Sequence, residues 1–520
     1  MFSGLQDYIL TCCKRNGDRD YCLYKPDAGE VAVRTYRELL EALQSVGTFL
    51  SRLNLAHCHV ALLGETGFEW IAAYLGSLVY GLTVIPLGRS MTKEMTLERL
   101  VFTDADVLLF DSKYADVADY VLAKIPGILC FQLNFGEGKH KILSMSIEKL
   151  DVPISRNEKE PAEIVFTSGT TGGQKAVILS CENVFYTVMY CIRLVNPSKD
   201  GLVLSVLPNN HTFELAVNIL APLYFGMSIG INDSIIHFKR NIRLFCPTHM
   251  LVVPAILNAI RKETLYSVGY REDMGSHGLD SDPKKKGKMI CELQALLGGR
   301  LTTLICGGAY LSDTVAEFFE TAGFRVIQGY GITECAPVVS CNSELDSWKL
   351  GRISPYCEVQ VSDGEICVRG HNVMLGYYKD PEQTQKAFAG GWFHTGDEGR
   401  VDEYRCLELI GRRDRMLVMS NGENVNPEEI EGELNNQSEI EECVVSVEGG
   451  FLKADIYPGD QVRSLKDPDE MRKRLSRVVF EVNRVLPIYK RIERFDIHIK
   501  PFERTLTRKV VRTDSGKGQK

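Results

Sequence analysis

The sequence holds no C-x-x-C pair, and its sixteen cysteines are scattered without a regular framework. Cys12 and Cys13 are adjacent, a spacing unsuited to an ordinary bridge between them. A disulfide-stapled secreted scaffold is excluded, and a reducing cytoplasm fits the cysteine usage. His57-Cys58-His59 offers ligand-type side chains but no second ligand pair, and it runs straight into Val-Ala-Leu-Leu, so it reads as the start of a strand. A basic excess is also missing: the net charge is −8, which argues against nucleic acid as a partner. No long uninterrupted apolar run is present. The most apolar segment, Ile71 to Leu87, is broken by Gly76, Ser77, Gly81 and Pro86, which suits a buried helix leading into a buried strand better than a membrane span. The first residues lack the basic and apolar regions of a signal peptide and read as a short amphipathic helix. At most, peripheral membrane contact is expected.

What is present suffices for a large soluble protein. The 520 residues allow about three to four domain-sized units, and 44% hydrophobic with 25% charged residues is ordinary for a globular chain. From Thr35, which forms a capping box with Glu38, helical and strand patterns alternate: a helix to about Leu53, strand His59 to Leu63, helix Phe68 to Val79, strand Thr83 to Leu87. That alternation predicts an α/β fold of mostly parallel, helix-covered sheets. Residues 135–161 are polar and read as a surface excursion. Residues 263–288 lose periodicity and end in Pro-Lys-Lys-Lys-Gly-Lys, which reads as a solvated loop. Beyond Ser354 short alternating strands suggest a smaller β-rich layer. The charged run Gly411-Arg412-Arg413-Asp414-Arg415 is taken as a boundary, giving a unit over 1–412 and a compact α+β unit over 413–520.

Residues 164–180 read IVFTSGTTGGQKAVILS, two strand-like runs around a loop of glycines and hydroxyls. Gly169, Gly172 and Gly173 free the backbone to converge N–H groups on an anion; Ser168, Thr170 and Thr171 add donors, and Lys175 adds charge. A Walker P-loop would need G-x-x-x-x-G-K-[ST] opening a helix, whereas Lys175 follows Gln174 and leads into a strand. A plain Gly-rich hairpin is the bland alternative. Further along, Gln328-Gly329-Tyr330-Gly331-Ile332-Thr333-Glu334 follows a strand, Gly391-Trp392-Phe393-His394-Thr395-Gly396-Asp397 closes on a Thr-Gly-Asp, and Phe502 to Arg512 is an apolar and basic run containing Lys509. The first two alone have ordinary readings, a helix-capping threonine and a turn aspartate.

This ordered series, from Ile164 to Arg512, resembles the adenylate-forming superfamily of acyl-CoA synthetases, peptide-synthetase adenylation domains and firefly-type luciferases, and looks most like bacterial long-chain fatty-acid–CoA ligases. Gln174 and Ala176 stand where that family has Pro and Gly. The resemblance implies a large domain followed by a small mobile one hinged near Asp414. It implies that Thr167, Ser168, Gly169, Thr170, Thr171, Gly172 and Lys175 grip the phosphates of ATP. Tyr330 would stack adenine among Gly308, Ala309, Gln328, Gly329 and Gly331. Thr333 would bond the α-phosphate, Glu334 would hold Mg2+, and Asp397 with Arg412 would bind the ribose. Lys509, preferred over Lys517 in Ser515-Gly516-Lys517-Gly518, would reach the acyl carboxylate and α-phosphate. His211, Phe213 and Gly307 would line the acyl pocket, His211 being otherwise readable as a core histidine, and Gly422 the thiol channel.

The expected activity is ATP-dependent activation of a carboxylic acid, of medium or long chain, as acyl-AMP, followed by transfer to coenzyme A. Glu214, Leu215 and Ala216 follow Phe213 where amino-acid-activating domains place an aspartate, which favours an uncharged acyl chain. Two alternatives stay open: transfer to the phosphopantetheine of an acyl carrier protein, and a nucleotide-binding pseudo-enzyme.

Overall fold

The computed structural model describes residues 2–26, 30–133, 157–167, 175–195, 197, 200–269, 283–342, 350–419, 423–465 and 467–503. Two large sheets organise it. One has nine strands among the described residues, with Leu202–Ser205, His249–Val252, Thr303–Cys306 and Arg325–Gly331 running parallel at its centre. The other has seven, in which Val107–Phe110, His59–Leu63, Thr83–Pro86 and Pro161–Thr167 are parallel and Lys175–Ser180 turns back antiparallel. The largest apolar core draws on strands of both sheets and on helices Leu5–Arg15, Tyr36–Ser51, Phe68–Val79 and Cys181–Leu194. Phe68–Val79 is buried almost throughout, which accounts for its unbroken apolar composition. The Thr35 capping box is present: its Oγ1 accepts the Glu38 N–H at 3.2 Å, and Glu38 Oε2 accepts the Thr35 N–H at 2.7 Å.

A third, antiparallel sheet is built from Cys357–Ser362, Glu365–Gly370, Trp392–Val401, Phe388–Ala389 and Leu407–Arg412. It is the β-rich layer, and its last strand leads directly into the turn Arg413–Arg415. After that turn a separate apolar core forms from Val425 to Ile492, under helices Pro427–Asn435 and Pro468–Val485 and the sheet Ile440–Glu448, Phe451–Pro458 and Arg494–Ile497. This last core docks through polar contacts with helix Pro254–Ser267 and its neighbours. Asn258 Nδ2 donates to the Asn435 carbonyl at 2.9 Å, Lys262 Nζ to the Ile440 carbonyl at 2.9 Å, and Asn436 Nδ2 to Ser312 Oγ at 2.7 Å.

The lysine-rich stretch departs from expectation. Residues 283–296 form a helix, Pro283–Leu296, with Pro283 opening it and Met289 and Leu293 buried. Its first turn is polar, so no apolar period is visible there, and burial starts only at Met289. The excursion at 135–161 falls largely outside the described residues.

Strand Pro161–Thr167 carries a buried carboxyl, Glu163, which accepts a hydrogen bond from the Tyr74 hydroxyl. Burial raises its pKa from 4.5 to about 7. The folded state therefore holds a proton that the unfolded chain has released, so this contribution to stability is complete below about 4.5 and disappears as pH rises through about 7. Glu163→Gln, which keeps the acceptor for Tyr74, should flatten that slope and relieve up to about 3 kcal/mol of destabilisation on the alkaline side. Urea midpoints measured across this range check it; an unchanged slope would contradict the assignment.

Candidate active site

The hairpin that holds the phosphate-loop sequence closes where strand Pro161–Thr167 meets Lys175–Ser180, with Thr167 paired to Lys175. Ser168, Gly169, Thr170, Thr171 and Gly172 lie outside the described residues, as do Gly422 and Lys509. The two ends of the loop, Thr167 and Lys175, are fixed by the sheet.

Two further strands end side by side in the nine-stranded sheet. Thr303–Cys306 and Arg325–Gly331 are parallel, with Cys306 opposite Gln328, so Gly307, Gly308 and Ala309 emerge beside Gln328, Gly329, Tyr330 and Gly331. Ligands in open α/β sheets collect at such carboxyl ends. Gly331 is required by close approach: a Cβ there would meet the Pro337 carbonyl oxygen at 1.7 Å. Gly308 sits at φ +82 and is exposed, open to an approaching ligand.

Tyr330 is buried, and its hydroxyl donates to Asp397 Oδ2 at 2.6 Å. Arg412, directly across the strand pair from Asp397, places Nη1 3.1 Å from Oδ1 and 3.2 Å from the Thr395 carbonyl. Asp397 is 4% exposed; burial pushes its pKa up, and Arg412 and Tyr330 pull against that. Arg412 Nε also reaches Asp414 Oδ1 at 3.3 Å, which joins this carboxylate to the turn at Asp414.

A second cluster was not foreseen. Tyr377, in strand Gly376–Tyr377 beside Lys175–Ser180, lies under Lys175 Nζ at 4.6 Å from its ring centre and donates its hydroxyl to Glu334 Oε1 at 3.1 Å. One ring thus separates a cation at the loop from the carboxylate that follows Thr333. The sequence signal was weak, a Gly-Tyr-Tyr after an apolar run, because its importance comes from strand pairing at long range.

Phe213 packs its ring on Gly307, where a Cβ would lie 3.0 Å from Cζ. His211, half-buried, opens the same helical segment, and the residues after Phe213 wind as a π-helix, Glu214–Leu220. Such wide turns recur at functional sites. Glu214, read from sequence only as the absence of an aspartate, is fully buried, accepts from Ser205 Oγ and from Asn218 Nδ2 at 2.9 Å, and is pushed up to about 7 by burial. Tyr310, next to Ala309, rests its ring on Gly432, whose Cβ would sit 3.2 Å away.

Residues 11–378 match the AMP-binding enzyme family profile, and residues 414–518 match the AMP-binding enzyme C-terminal domain. The chain belongs to the AMP-binding enzyme family. Among curated proteins, it is 27% identical over 493 residues to "Long chain acyl-CoA synthetase 8" of Arabidopsis thaliana, covering 80% of this chain and 68% of that protein. It is 26% identical over 477 residues to "Long-chain-fatty-acid--CoA ligase 6" of Homo sapiens, covering 81% and 68%. The fold is shared with the A-PCP didomain of carboxylic acid reductase from Segniliparus rugosus in complex with AMP, at TM-score 0.83 and 19% identity over 98% of this chain and 80% of that one. It is also shared with O-succinylbenzoate coenzyme A synthetase of Bacillus subtilis in complex with ATP and magnesium ion, at TM-score 0.74 and 20% identity over 97% and 98%. The large α/β unit, the β layer and the small terminal unit are those of adenylate-forming enzymes.

In this AMP-binding enzyme the Tyr377 hydroxyl occupies one oxygen of Glu334, the carboxylate expected to hold Mg2+. Tyr377→Phe keeps the ring under Lys175 but frees the carboxylate to turn away, and should raise the magnesium concentration for half-maximal pyrophosphate release about fivefold with an almost unchanged urea midpoint. An unaltered magnesium titration would contradict this positioning role.

Proposed function

We propose that the chain is an AMP-forming acyl-CoA synthetase acting on a carboxylic acid whose acyl chain is uncharged and of medium or long length. The carboxylate attacks the α-phosphorus of ATP, pyrophosphate departs, and the sulfur of coenzyme A then attacks the acyl carbon of the acyl-AMP, releasing AMP and giving the thioester. The observation that carries the reading is the meeting of Tyr330, Asp397 and Arg412 where strand Arg325–Gly331 ends. Long-chain ligases among the relatives support the acyl class, and the aromatic wall of Phe213 on Gly307 suits an apolar chain.

In this reading Asp397 accepts from the ribose hydroxyls with Arg412 beside it, and Tyr330 faces adenine among Gly308, Ala309, Gln328, Gly329 and Gly331. Thr167, Ser168, Gly169, Thr170, Thr171, Gly172 and Lys175 hold the phosphates, and Thr333 bonds the α-phosphate. Glu334, a half-buried carboxylate of which Tyr377 bonds one oxygen, fits Mg2+, which when bound neutralises phosphate charge. Lys509 neutralises the reacting oxygens in the first step, and Gly422 lines the thiol path in the second. The units 1–412 and 413–520 rotate about Asp414 between steps, because a lysine needed for the first would obstruct the second. His211 and Phe213 border the acyl entrance. The cysteines of the chain are free thiols, in keeping with a cytoplasmic setting, and among the described residues no helix is long and apolar enough to cross a membrane. A carrier-protein phosphopantetheine remains the alternative thiol, since one structural neighbour is an A-PCP didomain.

A panel of carboxylic acids scored by pyrophosphate release, then by thioester formation with coenzyme A or a holo carrier protein, tests the reading. Release driven by medium- or long-chain acids and capture by coenzyme A are expected. Capture by the carrier alone selects the alternative, and ATP binding without release on any acid overturns both. In the same assay Lys509→Ala should slow pyrophosphate release about a hundredfold or more, yet convert supplied acyl-adenylate to thioester at nearly the wild-type rate.

A further inference from the structure

Glu365, Cys367 and His394 take no part in the reading above, yet the β layer brings them together. Glu365 and Cys367 share one face of strand Glu365–Gly370, and His394 stands directly opposite Cys367 on the antiparallel strand Trp392–Val401. His394 Nδ1 is 3.0 Å from Glu365 Oε2 and 3.5 Å from Cys367 Sγ, and one ligand atom from each residue lies within 4.8 Å of the others. Tetrahedral zinc, with Zn–S near 2.3 Å and Zn–N or Zn–O near 2.0 Å, requires S and N about 3.5 Å apart and N and O about 3.3 Å apart. The two spacings from His394 Nδ1 are close to these values, and the Cys367 sulfur and Glu365 carboxylate, within 4.8 Å of each other, need only a side-chain adjustment to close on one ion. Cys367 closes the inner side, and the Glu365 and His394 side chains keep 13% and 30% of their surfaces open, leaving solvent to complete the coordination.

We propose that this cluster is a site for a thiophilic divalent cation of the Zn2+ type, in competition with Arg413. On binding, a metal–sulfur bond forms as the Cys367 thiol proton passes to solvent, the His394 Nδ1–H···Glu365 bond breaks as the imidazole shifts its proton to Nε2 and Nδ1 turns to the metal, and nothing is oxidised. Arg413 Nη1 sits 3.1 Å from the same Glu365 Oε2 that the cation would use, while its Nε reaches Glu398 Oε1 at 3.5 Å. Glu365 Oε1 accepts the Gly396 N–H at 2.8 Å and can keep that bond in either state. Occupancy by the cation therefore exchanges a hinge-side guanidinium for a metal on one carboxylate oxygen, without disturbing the strand backbone at Thr395-Gly396-Asp397.

The test uses full-length protein freed of metal by chelation and titrated with Co2+, whose thiolate charge-transfer band reports a sulfur ligand directly. The wild type should develop the band, and Zn2+ should abolish it by displacement. Cys367→Ala should lose it while retaining basal pyrophosphate release, and Arg413→Gln, on the surface, should bind Co2+ about tenfold more tightly because a competing cation is gone. Absence of the band in the wild type would show a hydrogen-bonded triad only and overturn the proposal. A band that survives Cys367→Ala but is lost in Cys58→Ala, or an Arg413→Gln affinity no tighter than wild type, would overturn it too.

Discussion

Asp397 is a carboxylate shut away from water, and a charge so placed is costly unless every oxygen finds a partner. Its two partners come from opposite directions. Tyr330 ends a strand of the nine-stranded sheet, and Arg412 ends the last strand of the antiparallel layer, one residue before the turn that leads to the C-terminal core. The large sheet, the β layer and the hinge-side turn therefore meet on a single side chain. In the proposed reaction that side chain also reads the ribose, so nucleotide binding and the setting of the turn at Asp414 draw on the same carboxylate.

The end of the site that we propose takes the phosphates follows a different rule. Lys175 and Glu334 carry opposite charges, and the Tyr377 ring stands between them, in contact with one through its face and with the other through its hydroxyl. Held apart in this way, neither charge is consumed by the other, which in the proposed reaction keeps the lysine for an anion and the carboxylate for a cation. Preorganised charge of this kind is what an in-line displacement at phosphorus demands, because the electrophile is screened by its own oxygens.

Local signals made much of this legible in the sequence. Capping at Thr35, alternating strand and helix periods, and the glycine-rich run before Lys175 each act over a few residues, and they specify elements whose bounds agree with the structure to within a few residues, as at His59–Leu63 and Phe68–Val79. The family resemblance supplied the candidate nucleotide residues, of which Tyr330, Asp397 and Arg412 are brought into contact. What stayed hidden depends on pairing across the chain. Tyr377 matters because its strand lies beside Lys175–Ser180, and Glu214 because a wide helical turn buries it. The helix Pro283–Leu296 was missed for the opposite reason: its polar first turn hides a period that only Met289 and Leu293 carry.

The most direct test of the central claim compares the affinity of the wild type for ATP and for 2′,3′-dideoxy-ATP, by calorimetry, alongside Asp397→Asn. If Asp397 receives the ribose, the wild type should favour ATP on the order of a hundredfold, since two charge-assisted hydrogen bonds are at stake, and Asp397→Asn should lose most of that preference. Equal affinity of the wild type for the two nucleotides would contradict the account, leaving Asp397 a purely structural carboxylate between Tyr330 and Arg412.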